Sequence, residues 1–132
     1  MDASEVITVG MDAEHMLVVR PEQTVGHLVE GMPMVFATPM MIQEMEIAAY
    51  NAIQRYLLPG WVTVGVEVDI KHLAASPVGA AVRTSAKVIA VERRVIRFEV
   101  VCFDGERKIG EGFHARGLIN LENFNKRLAG TK

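Results

Sequence analysis

Only one cysteine, Cys102, occurs in 132 residues. That excludes an internal disulfide and every metal or redox site built on paired cysteines. Its neighbours Val100, Val101 and Phe103 are apolar, which suits a buried structural thiol better than a reactive one. Positive charge is also in short supply: 14 Lys and Arg face 16 Asp and Glu, leaving a net charge of -2. A nucleic-acid-binding domain needs basic residues in surplus and clustered, so that class drops out. No long hydrophobic run exists either. The richest stretch, MPMVFATPMMI, carries two prolines and is too short to span a bilayer. The opening residues, MDASEVITVG, are acidic and have neither the basic nor the apolar segment of a secretory leader. Phosphate-cradling loops are missing, because GEGFHARG sits in a strand region and has the wrong spacing. There is no GxSxG elbow and no paired-histidine or acid-cluster spacing for a metal. The exclusions leave a cytoplasmic chain of one domain, residues 1–132, with no metal, nucleic acid or membrane among its expected partners.

What is present is a good core-former. Half of the residues are hydrophobic and 23% are charged, so a disordered chain is excluded. EHMLVVR reads as a first strand ended by Pro21, and EQTVGHLVEGMP as a loop with short elements. One long helix follows, and after Pro59 and Gly60 the helical period gives way to alternation. Strands are predicted over 63–75, 80–91, 95–103 and 108–119, joined by the turn SPVG and the hairpin signal DGE. LENFNKRLAG suits a short terminal helix. A strand, a long helix and a meander of about four strands make an α+β layer structure. One helix must cover one sheet face, and a curved antiparallel sheet wrapped around a central helix does this most economically: the hotdog fold. The sheet's outer edges suggest pairing with a second copy.

The helix opens on Thr38 as N-cap and Pro39 at its first position, where a missing N–H costs nothing. At about 100° per residue, Gln43, Glu44, Asn51, Gln54 and Arg55 gather on a solvated side, opposite Ile42, Met45, Ala49, Ile53 and Tyr56. Glu46 falls within the apolar stripe, whereas Glu44 points to water. Glu46 either reaches solvent from the margin of the stripe or is a desolvated acid of raised pKa.

The strand TVGVEVDIKHLAAS bears on that choice. Val64, Val66, Val68 and Ile70 alternate with polar residues, and period two adds His72 to the apolar face. Alone, His72 reads as a strand-end histidine; with Glu46 in the same buried layer it suggests an acid–base pair. Thr38 adds a hydroxyl beside helix N-terminal N–H groups that favour negative charge. His15 and His27 lie in polar early segments and read as surface or packing residues. His114 alternates with Gly110, Gly112 and Arg116; it reads as part of a solvated face, or with Arg116 as an anion contact. Met32, Met34, Met40, Met41 and Met45 flank the helix start and read as adaptable core, or as a pliable acyl pocket.

The segments VFATPMMIQEMEIAAY, VGVEVDIKHLAASPVGAAVRTSAKV and IGEGFHARGLINLENFNKR resemble the hotdog-fold thioesterase family typified by fluoroacetyl-CoA thioesterase, over about residues 22–127. The resemblance implies acyl-CoA hydrolysis by a homodimer with no metal or separate cofactor, coenzyme A being part of the substrate. It implies a catalytic set of Thr38, Glu46 and His72; Phe36, Pro39, His114 and Arg116 are the candidate substrate contacts beside it. Two departures stand out. The family's longer, phenylalanine-bearing lid is here the shorter VGHLVEGMPMVF, with Phe36 its aromatic residue. A family His-Glu-Arg run on the last strand is here His114, Ala115, Arg116. The short lid points to a general acyl-CoA thioesterase rather than a fluoroacetyl specialist, and Ala115 removes the contact a glutamate would make there.

The expected chemistry has Glu46 attacking the thioester carbonyl or activating water, with His72 and Thr38 handling protons and the oxyanion. The alternatives are an acyl-CoA hydratase or dehydratase, and a non-catalytic acyl-CoA-binding module.

Overall fold

The computed structural model describes residues 1–130. Five strands form one antiparallel sheet: β1 (Asp12–Val18), β2 (Trp61–His72), β3 (Ala81–Glu92), β4 (Val95–Asp104) and β5 (Arg107–Asn120), in the spatial order β1-β3-β4-β5-β2. The helices are α1 (Val25–Leu28), α2 (Thr38–Ile53) and α3 (Leu121–Gly130), with a 3-10 turn, Gln54–Tyr56, extending α2. The predicted α+β arrangement and the order of its elements hold, with strand ends moved by one to three residues. No helix among the described residues is long and apolar enough to cross a membrane.

The core follows from period two. Val82, Thr84, Ala86 and Val88 of β3 and Ile96, Phe98, Val100 and Cys102 of β4 face one way and are fully buried. The thiol of Cys102 meets the Thr84 hydroxyl at 3.1 Å, and burial pushes its pKa up to about 11. It is the inert structural thiol its neighbours implied. Met41, Met45, Ala48, Ala49, Ala52 and Ile53 of α2 complete the cluster.

The buried stripe of α2 therefore runs one step away from the predicted one. Glu44, expected in water, is 3% exposed, whereas Tyr56, expected in the core, is 37% exposed. The partner explains it: His15 Nδ1 lies 2.6 Å from Glu44 Oε1, so this acid is buried with its charge answered. His15 is thus no bystander; it ties β1 to α2. His15→Ala leaves Glu44 without its partner and is expected to cost about 1.5–3 kcal/mol. Thermal unfolding checks this, and an unchanged Tm would show that the pair contributes nothing.

One irregularity governs the far edge of the sheet. Gly65 pairs with Arg116 and Glu67 with Ala115, so Val66 is an extra residue in β2. Such a bulge flips the alternation. Val64 and Val66 do not share the inner face with Val68, Ile70 and His72 as predicted; Thr63 and Gly65 take their place, opposite Leu118 and Arg116.

Candidate active site

Thr38 is the first residue of α2 and not its cap; Ala37 holds that position without a side-chain bond. Freed from capping, the Thr38 hydroxyl lies 2.8 Å from His72 Nδ1, at the end of β2. The imidazole is fixed on one side by this bond, and its edge meets the Phe36 ring at 6.5 Å between centroids. Its Nε2 is buried and has no partner. Desolvation lowers the His72 pKa, the nearby Ala74 backbone opposes this, and the balance favours the neutral ring. A neutral imidazole with one free nitrogen can accept or deliver a proton there. Phe36 is a core residue, 1% exposed, that also walls this opening, while Pro39 is exposed on the first turn.

Glu46 lies elsewhere. It is eight residues further along α2, about 12 Å at the helical rise. Its side chain is 41% exposed, so it sits at the margin of the stripe rather than within it. The imidazole beside it is His114, at 3.9 Å, and not His72. Arg116 Nη1 is 3.8 Å from the same carboxylate oxygen. Within one chain the predicted set thus separates into a Thr38–His72 pair and a Glu46–His114–Arg116 group.

The second group is tightly ordered. Arg116 donates through Nε to the Thr63 hydroxyl and through Nη2 to the Thr63 carbonyl, each at 2.8 Å. His114 Nδ1 lies 2.9 Å from the Glu67 carbonyl, which can only accept. The proton therefore resides on Nδ1, leaving Nε2 to accept from Arg116 Nη1 at 3.2 Å. Desolvation lowers the His114 pKa, and Arg116 adds to that; the Glu67 bond and Glu46 oppose it. His114 and Arg116 are 3% and 6% exposed, which overturns the solvated face predicted for this strand. The arrangement presents Glu46 as a carboxylate beside a fixed cation, with its outer side open.

Gly65 completes it, and sequence reasoning missed it. A Cβ there would collide with Glu46 Oε1. A glycine inside a valine-rich strand is the available signal, since it marks a bulge or a close approach. Gly65→Ala should displace the flexible end of Glu46 rather than the backbone. An activity loss of about 10–100-fold is expected from such a misplacement. Steady-state kinetics beside a Tm measurement test this, and full activity would remove Glu46's position from the mechanism.

A model of the family described as fluoroacetyl-CoA-specific thioesterase, FlK, matches residues 19–122. The chain belongs to this family. Fluoroacetyl-CoA thioesterase of Streptantibioticus cattleyicolor is 38% identical over 126 residues, spanning 91% of each protein. A solved structure of the fluoroacetyl-CoA thioesterase FlK superposes with a TM-score of 0.89 at 36% identity, covering 96% of this chain and 98% of that one. A hot-dog-like protein from Thermanaerovibrio acidaminovorans reaches a TM-score of 0.90 at 22% identity, over 98% of this chain and 96% of that one, and shows the fold alone. The hotdog fold expected of the helix and meander is the fold of the chain.

Proposed function

We propose that two copies of this chain form the active site together, with Thr38 and His72 from one and Glu46 from the other. Family membership makes the chain a CoA thioester hydrolase. The observation that carries the proposal is the separation of the two groups within one chain. β2 is an edge strand of 12 residues, paired with β5 along one side only, with Val66 57% and Val68 44% exposed. A long unpaired edge with apolar side chains is a template for another strand. Antiparallel pairing of β2 with its copy about a two-fold axis near its midpoint sets the His72 end of one strand against the other's Gly65 half. That brings the partner's half-exposed Glu46 toward the Thr38–His72 pair.

In the joined site the thioester carbonyl lies between the two groups. Glu46 takes a proton from a water that adds to the carbonyl carbon, or attacks that carbon itself to give an anhydride that a water then hydrolyses. The C–S bond breaks as the tetrahedral centre collapses, CoA leaves as the thiol once protonated, and the acid departs. The unpartnered Nε2 of His72 suits the proton transfer to sulfur. Thr38, through its hydroxyl and its backbone N–H at the start of α2, suits the oxyanion. Arg116 and His114 position the Glu46 side chain. Coenzyme A enters with the substrate. Release of free CoA from acyl-CoA, followed with a thiol reagent, tests the reading; no release from any acyl-CoA would reject it.

A further inference from the structure

Within that reading, we infer that the acyl group hydrolysed is an uncharged aliphatic chain longer than acetyl, bound in the opening beside Thr38 and His72. This opening, of about 390 Å³, is walled by Val25, Val35, Phe36 and Leu73 around the Thr38–His72 pair. Besides His72, none of the residues lining it carries an ionisable side chain. Leu73, the most exposed of its large apolar lining residues, is 48% exposed.

This wall is built and not incidental. Residues 33–35 run back along α1, with Val25 N–H donating to the Val35 carbonyl and Gly26 N–H to the Pro33 carbonyl, both at 2.9 Å. Bridges from Thr24 to Phe36 and from Val35 to Pro77 pin the segment at its base. Gly26 is required, because a Cβ there would lie 2.6 Å from both the Met32 carbonyl and Met34 Sδ. The backbone thus fixes Val35 and Phe36 in the wall of the opening.

The chemistry of the ligand decides which part of an acyl-CoA enters. The pantetheine arm carries two amides, whose burial without partners is costly. Thr38 and His72 are the polar side chains available in the opening, and both are taken up by each other and the reaction. A methylene chain asks for no hydrogen bonds and gains from every carbon it hides. A carboxylate-bearing acyl group would meet no cation among the residues lining the opening, and the Arg116 that accompanies Glu46 is already held by Thr63 and faces that carboxylate. Polar groups concentrate instead at the Glu46 opening, with Gln43, Thr63 and Arg116.

Comparing kcat/KM for acetyl-, fluoroacetyl-, butyryl-, hexanoyl- and succinyl-CoA tests the inference. Activity should rise from acetyl to hexanoyl, by roughly fourfold for each further buried methylene. Succinyl-CoA, as long as butyryl-CoA but ending in a carboxylate, should be at least about a hundredfold poorer than butyryl-CoA. The exposed position of Leu73 lets Leu73→Asp fold, and this variant should lower the hexanoyl-to-acetyl ratio by at least about tenfold. Fluoroacetyl- or succinyl-CoA as the best substrate, or an unchanged ratio in Leu73→Asp, would overturn the acyl assignment while leaving the thioesterase reading intact. Release of CoA from none of the five would remove both.

Discussion

Glu46→Gln is expected to release CoA about 10²- to 10⁴-fold more slowly than the wild type, the range for losing a positioned acid or base. The substitution keeps the size of the side chain and removes the charge. Since that side chain is 41% exposed, the fold should not change, and Tm should stay within a few degrees. The cause lies in what the carboxylate alone can do: take a proton from water or form a bond to carbon. Neither Arg116 nor His114 replaces it. Arg116 is a permanent cation held by Thr63, and His114 has its Nε2 engaged with Arg116. Stopped assays of free thiol measure the effect. Near wild-type turnover would remove Glu46 from the chemistry, and single-turnover reaction in heavy-oxygen water, with label appearing in Glu46, would identify it as nucleophile rather than base.

Mixing two inactive variants should restore activity. Glu46→Gln damages one half of the site and His72→Asn the other. If each site draws its halves from two chains, a mixed dimer carries one doubly damaged site and one intact site. Equal amounts of the two proteins, unfolded and refolded together, give half mixed dimers. About a quarter of wild-type activity then returns, by the statistics of a two-fold dimer. Each variant refolded alone should stay near its own low level. Activity of the mixture equal to the average of the two would show that Glu46 and His72 act within one chain, and would overturn the proposed arrangement. The distance along α2 motivates the test: Thr38 and Glu46 are more than two turns apart on a rigid helix, and no side-chain rotation closes such a gap.

The sequence by itself determined the elements and their order. The proline at the start of α2, the glycine after Pro59, the period-two runs and the DGE hairpin signal are local, and local signals survive folding. Gly60 adopts φ +87° and Gly105 φ +61°, as the ends and turns assigned to them require. The candidate site residues were proposed as types: a hydroxyl, a carboxylate and a histidine. Tertiary structure decided which of them meet. Glu44 and Glu46 are two residues apart, and nothing local says which is buried. His15, 29 residues before Glu44, settles it by offering the deeper one a partner. The bulge at Val66 reversed the faces of β2 ahead of Glu67, and only its pairing with β5 reveals it. That reversal turned Gly65 inward to make room for Glu46 and gave Glu46 His114 and Arg116 as neighbours. Pattern along a chain fixes faces only while the period is unbroken, and charge on a helix follows its partners across space.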